Sequence, residues 1–278
     1  MSWWSIEVGA PAGRKEAVGA WLVAHTGHAV EEKDGPTLLA FAPDERIAAR
    51  VVEQLGRETD GWITSGPTPM DPVDWSTRWR EGLGIRRIGR LSIIPSWQAS
   101  AANLGPRDVV LDPETAFGSG EHGSTRVALA LMERLLQEGT AVLDLGSGSG
   151  ILAIAAVKLG AAHATGIEID PDAIAVAERN AARNQVSDRL RFLEGDAAVL
   201  APLLRPVDMV LSNILRVVNA ALLPEISIAL AGQGIAIFSG MELAEAAEFR
   251  PALSDGGFTI VEEVSDSGWW GVAARPSR

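Results

Sequence analysis

The sequence predicts an α/β protein in which a doubly wound, mostly parallel sheet of seven strands is preceded by a small ferredoxin-like α+β domain. The first observation behind this prediction is a regular alternation of short apolar strands and helical segments from about residue 123 to the end. Such an alternation is typical of a mainly parallel sheet that is covered by helices on both faces. The second observation is the order β-α-β-β-α-β in the first 70 residues, which is the ferredoxin-like arrangement.

The patterning divides the chain into three parts. We predict a ferredoxin-like domain over residues 1–66, a linker and interdomain segment over 67–106, and the large α/β domain over 107–278. In the small domain, helices are predicted over 13–25 and 44–55, and strands over 3–8, 28–33, 37–41 and 62–65. The break after it is marked by glycine and prolines at Gly66, Pro67, Pro69 and Pro72. Trp75 and Trp79 then predict a short helix, and residues 84–97 and 107–111 are predicted to be extended.

Within the large domain the predicted elements follow one another closely. Strands are predicted over 141–145, 164–169, 190–194, 207–213, 234–239, 258–265 and 269–274, and helices over 124–137, 150–159, 171–183, 217–231 and 242–253. The last two strands form an antiparallel hairpin around residues 266–268. A doubly wound sheet binds its ligands at the carboxyl ends of the strands, so the loops that follow these strands are expected to carry the site.

The composition excludes several classes of chemistry. The 278 residues include no cysteine and no tyrosine, which rules out disulfides, thiolate nucleophiles and phenolic acid–base groups. The four histidines are not spaced as a metal-binding motif, and we expect no metal site. The net charge of −12 disfavours general nucleic-acid or membrane binding and suits a small cationic ligand or a basic protein partner. Because no apolar run is long enough to cross a membrane and the N-terminus does not resemble a signal peptide, we expect a cytoplasmic protein.

A glycine-rich loop follows the first strand of the large domain. The segment AVLDLGSGSG carries Asp144, Gly146, Gly148 and Gly150. A strand that turns into a helix through small residues lets its backbone approach a ligand closely. The dinucleotide-binding pattern G-x-G-x-x-G fails here, because its third glycine position is Ile151. The spacing D-x-G-x-G-x-G instead resembles the first motif of class I S-adenosylmethionine-dependent methyltransferases, although tight packing alone also produces such turns.

Acidic residues close the next two strands. Glu168 stands at the tip of the second strand, 22 residues after Gly146, where a carboxylate can accept both hydroxyls of a ribose. The alternative for Glu168 is an exposed acid at a strand end. Asp170 precedes Pro171, so we assign Asp170 to capping the following helix. Asp196, at the end of the third strand, has two interpretations, which are a contact with an adenine amine and the cap of the next helix.

A polar amide closes the fourth strand. Asn213 lies in the run SNIL over residues 212–215, and an amide among apolar neighbours is expected to have a specific hydrogen-bond partner. Its side-chain carbonyl could orient an attacking amine. The run is similar to the N/D-P-P-Y/F corner of amino-methylating enzymes, without its prolines and aromatic residue. His122 is a candidate general base, and a hydrogen bond within its own loop is the alternative.

Four segments together resemble one family. LDPETAFGSGEHGSTR (111–126), LDLGSGSGILAIAAVKLGA (143–161), GIEIDPDAI (166–174) and SNIL (212–215) are similar to the ribosomal protein L-eleven methyltransferase family, and Asp74, Trp75, Trp79 and IIPSW (93–97) fit it as well. The similarity covers about residues 71–278, and the first 70 residues match only in the order of their elements and an aromatic first strand. The family implies a ferredoxin-like substrate-recognition domain, a linker and a Rossmann-like class I methyltransferase domain.

The resemblance also implies an activity. It implies that S-adenosyl-L-methionine is used to methylate lysine side chains, the N-terminal amine or both on ribosomal protein L-eleven. Carried over by position, the implied cofactor contacts are Thr125, Gly146, Glu168 and Asn213, to which we add Asp144, Gly148 and Asp196. Asn213 is also the candidate catalytic residue. The family pattern has threonines where Ser119 and Ser124 stand and an aspartate where Glu168 stands, but each replacement keeps its functional group.

The choice of partner stays open at this point. Another lysine-bearing protein or a small-molecule amine is the alternative acceptor. The basic stretch between residues 78 and 90 is either a solvated surface or a contact to ribosomal RNA phosphates or an acidic partner. Trp75, Trp79 and Trp97 are assigned to packing at a domain junction, with substrate contact as the alternative. We expect a monomer.

Overall fold

The computed structural model describes residues 3–11, 14–28, 30–33, 35–58, 62–69, 84–101, 104–112 and 122–277. The chain divides into two compact units, Met1–Gly82 and Leu83–Arg278, and each unit is described by itself. The predicted helix with Asp74, Trp75 and Trp79 lies outside the described residues, as does the segment 113–121 that precedes His122.

The first unit has the ferredoxin-like topology. Its elements are β1 (Trp4–Gly9), α1 (Lys15–Thr26), β2 (Val30–Glu32), β3 (Thr37–Ala42), α2 (Glu45–Glu58) and β4 (Ile63–Pro69). The sheet has the order β2-β3-β1-β4, and all neighbouring strands are antiparallel. Alternate residues of β1, Ile6 and Val8, pack with Leu22 of α1 and Val51 of α2 in a small apolar core. The predicted order of strands and helices is therefore confirmed.

The second unit contains ten strands and seven α-helices among its described residues. The strands are β5 (Arg86–Ile88), β6 (Leu91–Pro95), β7 (Asp108–Leu111), β8 (Ala141–Leu145), β9 (His163–Glu168), β10 (Leu190–Glu194), β11 (Val207–Asn213), β12 (Leu230–Glu242), β13 (Phe258–Asp266) and β14 (Trp269–Pro276). The helices are α3 (Gly123–Leu135), α4 (Ile151–Leu159), α5 (Pro171–Arg183), α6 (Ala197–Leu200), α7 (Arg216–Ala221), α8 (Leu223–Ala229) and α9 (Ala246–Asp255). Short 3₁₀ helices cover Ser96–Ala101, Ala201–Leu204 and Leu243–Glu245.

The large sheet confirms the predicted class I methyltransferase fold. Its seven strands have the order β10-β9-β8-β11-β12-β14-β13. The strands from β10 to β12 run parallel, and β14 and β13 close the sheet as an antiparallel pair. The chain leaves β8 towards one edge of the sheet and returns at β11 on the other side. The carboxyl ends of β8 and β11 therefore meet at the switch point where such sheets bind ligands.

Apolar side chains cover both faces of this sheet. Val142 of β8 and Leu211 of β11 belong to the cluster that includes α3 and α4, whereas Leu143 and Val210 belong to the cluster that includes α8 and α9. Consecutive strand residues point to opposite faces, so a parallel strand that is buried on both faces needs an almost continuous apolar run. A separate three-stranded sheet, β5-β6-β7, packs on the first of these clusters.

The structure corrects several predicted boundaries. The helix predicted over 217–231 is two short helices, because Pro224 lacks a backbone N–H and opens the first turn of α8. Residues 230 and 231, predicted as the end of that helix, begin β12, where Leu230 pairs with Val207. The helix predicted from residue 242 begins as a 3₁₀ turn that Glu242 caps.

The segment 84–97 is also not one extended run. It turns at Gly89, where φ is 56°, and so forms the hairpin of β5 and β6. Trp97 lies in the 3₁₀ helix that follows β6.

Two features are absent from the part of the chain that the structure describes. No helix there is long and apolar enough to span a membrane. No three histidine, aspartate or glutamate side chains there form a cluster that could hold a metal ion.

Candidate active site

A cavity of about 670 Å³ opens at the carboxyl ends of the parallel strands. Ligand sites usually fall between roughly 300 and 1,000 Å³. Among the described residues, the polar side chains in its wall are His122, Ser124, Glu168, Asp196 and Asn213, and the apolar ones include Ile167, Ile169, Ile214, Leu215, Val218 and Trp269. A mostly apolar wall with a few polar groups is the usual composition of a small-molecule site.

The turn after β8 brings backbone to the cavity wall. Gly146, Gly148 and Gly150 have φ angles of 68°, 51° and 80°, in the left-handed region that favours glycine. The N–H of Gly146 donates to the carbonyl of Ile167 at 2.9 Å, which fixes the turn against β9. A Cβ atom on Gly146 would lie 2.7 Å from Cγ2 of Ile214. The glycines are therefore needed for the backbone conformation. Gly146 is also needed for the close approach of Ile214, which lies at the corner after β11 (residues 213–215).

Glu168, at the end of β9, reaches back to this turn. Its Oε2 accepts from the N–H of Gly148 at 2.9 Å, and its Oε1 accepts from the N–H of Ile169 at 2.8 Å and of Asp170 at 3.2 Å. A carboxylate offers about four acceptor positions, so Glu168 has capacity left for a donor in the cavity that it lines. The contact of Glu168 with Gly148 is a feature that the sequence does not predict.

Asn213 lies at the end of β11, beside the start of α3. Its Nδ2 donates to Oγ1 of Thr125 at 3.3 Å, and Thr125 is fully buried behind the cavity wall. The Oδ1 of Asn213 is buried and has no hydrogen-bond partner among the described residues. A buried carbonyl without a partner is costly, so this atom marks a position where a ligand donor is expected.

Asp144 lies beneath the glycine turn and does not line the cavity. Its Oδ2 accepts from the N–H of Ala153 in the first turn of α4 at 3.2 Å, and its Oδ1 has no partner among the described residues. Burial raises the pKa of Asp144 to about 7; the hydrogen bond from Ala153 opposes this shift, and the charge of Glu168 adds to it. Asp144 therefore supports the turn from behind, as Thr125 supports Asn213.

His122 immediately precedes α3 and lines the cavity. Its Nδ1 is hydrogen-bonded to Oγ of Ser124 at 2.6 Å, and its ring centroid lies 4.1 Å from that of Trp269. Burial, and then the charge of Arg126, lower the pKa of His122. The hydrogen bond within the loop is thus present, and the role of general base stays a prediction.

Both strand-end aspartates cap helices. The Oδ1 of Asp170 accepts from the N–H of Asp172 at 2.9 Å, which is the predicted cap of α5. The Oδ1 of Asp196 accepts from the N–H of Ala198 at 2.8 Å, so this oxygen caps α6 as one of the two interpretations predicts. Asp196 also lines the cavity, and its contact with adenine stays a prediction.

Sequence reasoning missed Gly240 and Trp269 in the cavity wall. Gly240 lies in β12 with φ of 84°, and a Cβ there would lie 2.3 Å from the carbonyl oxygen of Ile214. The same strand-end rule that found Asn213 could have found Gly240, one residue beyond the predicted end of its strand. No local pattern indicates Trp269, because its contact with His122 spans most of the second unit.

These residues fit S-adenosylmethionine, the ligand that the resemblance implies. The glycine turn provides a close backbone wall, Glu168 keeps acceptor capacity for a hydroxyl donor, and Asn213 contributes a buried oxygen without a partner among the described residues. The apolar side chains of the wall suit the flat face of an adenine.

Comparison with known proteins identifies the family. The family described as Ribosomal protein L11 methyltransferase (PrmA) matches residues 11–276. The ribosomal protein L11 methyltransferase of Pelotomaculum thermopropionicum is 37% identical over 263 residues, which cover 92% of this chain and 83% of the relative. That of Trichlorobacter lovleyi is 34% identical over 288 residues, which cover 92% and 91%. The crystal structure of ribosomal protein L11 methylase from Lactobacillus delbrueckii subsp. bulgaricus superposes with a TM-score of 0.64 at 30% identity, over 70% of this chain and 100% of that chain. Because the family match spans nearly the whole sequence, this chain belongs to the ribosomal protein L11 methyltransferase family, within the S-adenosylmethionine-dependent methyltransferases of class I.

Proposed function

We propose that this chain transfers the methyl group of S-adenosylmethionine to amino groups of ribosomal protein L11, on lysine side chains, the N-terminus or both. The observation that carries the proposal is the buried Oδ1 of Asn213, which has no partner among the described residues and belongs to a side chain in the cavity wall. An N–H donor satisfies such an oxygen, and the acceptor amine supplies one.

The cofactor half of the site is assigned to the turn after β8 and the ends of β9 and β10. S-adenosylmethionine, when bound, supplies a methyl group that is attached to a positively charged sulfur. When the methyl group is transferred, the sulfur departs as a neutral thioether. Glu168 accepts a ribose hydroxyl, Asp196 faces the adenine amine, and Gly146 and Gly148 form the close backbone wall. The buried Thr125 and Asp144 hold Asn213 and the glycine turn in place from behind.

The acceptor half is assigned to Asn213. A lysine amine has a pKa of about 10.4 in water and attacks only after losing its proton. Burial in the cavity and a nearby positive sulfur both lower that pKa, so the proton leaves to solvent as the amine enters. Asn213 then accepts one N–H of the neutral amine and fixes the direction of its lone pair. Such positioning accounts for a large share of the rate of a two-substrate reaction.

Charge is consistent with a basic protein as the acceptor. The chain has a net charge of −12, which attracts a positively charged partner over several ångströms. Within the basic stretch, Arg90 pairs with Glu133 of α3 at 2.8 Å, so this arginine also has a structural role. The proposal also includes a contact of the exposed Arg87 with ribosomal RNA. It further includes a monomeric state and a cytoplasmic location.

Transfer of labelled methyl to purified ribosomal protein L11, followed by intact-mass measurement, tests the proposal. The expected result is a series of mass steps of one methylene, and peptide mapping then shows whether lysines or the N-terminus carry them. Absence of transfer to L11, together with measurable binding of S-adenosylhomocysteine, would redirect the search to another protein or a small amine.

The role of the first unit needs a separate test. We propose that residues 1–66 recognise the protein substrate. A chain that starts at Leu83 is expected to bind S-adenosylhomocysteine as the full chain does and to lose transfer to L11. Undiminished transfer by that shorter chain would contradict the recognition role.

A further inference from the structure

Asn219 of α7 is a buried side chain that holds the corner after β11. Its Oδ1 accepts from Oγ of Ser212 at 2.6 Å, and its Nδ2 donates to the carbonyls of Ile214 at 3.0 Å and Ser239 at 2.9 Å. Ser212 and Ile214 flank Asn213 on both sides. One fully buried amide therefore binds the side chain of the residue before, and the backbone of the residue after, the proposed amine-orienting residue.

The same corner is tied to β12 and to the start of α3. The carbonyl that Asn219 holds belongs to Ser239, whose Oγ donates to the carbonyl of Ser124 at 2.7 Å. The next residue of β12, Gly240, lies close against the backbone of Ile214. The corner thus depends on a chain of buried hydrogen bonds with Asn219 at its centre, and none of these bonds involves the glycine turn.

Asn180 of α5 has the equivalent place on the other side of the site. Its Nδ2 donates to the carbonyl of Ser149, inside the glycine turn, at 3.0 Å and to the carbonyl of Asp112 at 3.2 Å. Its Oδ1 accepts from the N–H of Asp112 at 3.0 Å. Asn180 therefore fixes the glycine turn to the residue that follows β7.

We propose that Asn219 and Asn180 are positioning residues, each of which holds one half of the site in place. Asn219 holds the corner after β11, where the acceptor amine binds, and Asn180 holds the glycine turn, where the cofactor binds. Neither side chain lines the cavity. The inference rests on the proposed function for the chemistry of each half, and it adds which buried side chain holds each half in place. Because a buried amide that loses one partner leaves the others unsatisfied, each site half depends strongly on its own asparagine.

Asn184 provides a matched control in the same helix as Asn180. It is also buried, and its side chain makes three hydrogen bonds, with the N–H and carbonyl of Val110 and with the carbonyl of Asn180. None of these partners lines the cavity. Removal of its amide costs a similar set of buried hydrogen bonds, so Asn184→Ala reports the general effect of such a loss on the fold.

The test compares Asn219→Ala, Asn180→Ala and Asn184→Ala in the full chain. Thermal unfolding is measured together with the Kd of S-adenosylhomocysteine by calorimetry and the kcat for methyl transfer to L11. All three variants are expected to lower the melting temperature. Asn180→Ala is expected to raise the Kd at least tenfold. Asn219→Ala is expected to lower kcat at least tenfold with a Kd within threefold of the parent, and Asn184→Ala is expected to change neither beyond threefold.

Equal changes of Kd or of kcat in all three variants would overturn the proposal, because the asparagines would then act only through the stability of the fold. A parent enzyme that binds S-adenosylhomocysteine but does not methylate L11 would contradict the proposed function alone. In that case the Kd of S-adenosylhomocysteine still tests the separation of the two halves. A loss of affinity in Asn180→Ala alone supports the separation. An equal loss of affinity in Asn219→Ala overturns it.

Discussion

The carboxylate of Glu168 accepts a hydrogen bond from the N–H of Gly148 at 2.9 Å, which joins the tip of β9 to the glycine turn after β8. Two features that the sequence presents as separate ligand contacts are therefore one structural unit. The Oε1 of the same carboxylate binds the N–H groups of Ile169 and Asp170. Glu168 thus shapes the turn that forms the cofactor wall, in addition to any contact it makes with the ligand itself.

Replacement of Glu168 tests this double role. Glu168→Gln keeps an oxygen that can accept from Gly148 but removes the charge, and hydrogen bonds to charged groups are worth about 1.5–3 kcal/mol. We expect the Kd of S-adenosylhomocysteine to rise about 10-fold or more. The melting temperature is expected to fall as well, because the new NH2 group faces backbone N–H donors that the carboxylate oxygen accepted. Glu178→Gln, an identical change on the exposed face of α5, is the control and is expected to leave the Kd unchanged. An unchanged Kd in Glu168→Gln would remove this residue from the cofactor site.

The close contact of Gly240 with the β11 corner gives a second prediction. Gly240 and Gly257 both have left-handed backbones, with φ of 84° and 74°, but a Cβ at Gly257 would have no atom within 4 Å. Gly257→Ala therefore shows the cost of the backbone conformation alone, about 1–2 kcal/mol. Gly240→Ala adds a clash with the backbone of Ile214, and we expect it to lower the free energy of unfolding by about 2 kcal/mol more than the control. Equal losses in urea unfolding would show that the corner moves aside easily.

The fold of the second unit could be predicted because its strands are short, apolar and separated by helices. Strands such as β8 and β11 are buried on both faces, so their composition identifies them without knowledge of their neighbours. The predicted ends of helices and strands were wrong where the local sequence pattern favoured one element and the packing of the chain favoured another. Pro224 divides a run that has helical spacing, and Leu230 joins β12 because Val207 offers it a partner strand.

The candidate site was predictable to the extent that strand ends determine it. Gly146, Glu168 and Asn213 follow from the rule that ligands bind beyond the carboxyl ends of parallel strands. The side chains that hold them do not follow from any local pattern. Asn219 and Asn180 lie inside helices, where an asparagine without its three-dimensional partners has no recognisable role.

The buried Asp144 predicts a particular dependence of stability on pH. Burial holds the pKa of its carboxyl at about 7 in the folded chain, against 3.8 for an ordinary aspartate. Between about pH 4 and pH 7 the folded chain therefore keeps a proton that the unfolded chain has released, so the free energy of unfolding falls as the pH rises through this window. For this group alone the fall is on the order of 4 kcal/mol.

Asp144→Asn removes this titration. Relative to the parent, the variant is expected to gain stability steadily from pH 4 to pH 7, as measured by urea unfolding at several pH values. Asp188→Asn, at an exposed position, is the control and is expected to give a profile parallel to that of the parent. Parallel profiles for Asp144→Asn as well would show that its carboxyl titrates at the same pH in the folded and unfolded chains.

Removal of the Asn213 side chain tests the acceptor half of the site. Asn213→Ala deletes the buried oxygen that has no partner among the described residues, and it leaves the glycine turn and Glu168 unchanged. If this oxygen orients the amine, kcat should fall by about 10²-fold or more, since a small misplacement of a reacting group already costs about that much. A Kd of S-adenosylhomocysteine that changes less than about threefold, or less than about 0.7 kcal/mol of binding, would assign Asn213 to the amine alone. A larger rise in Kd would show that Asn213 is also the cofactor contact that the family resemblance implies. Single-turnover transfer to L11 separates the two effects, and a parent-like rate in the variant would assign the orientation of the amine to another group.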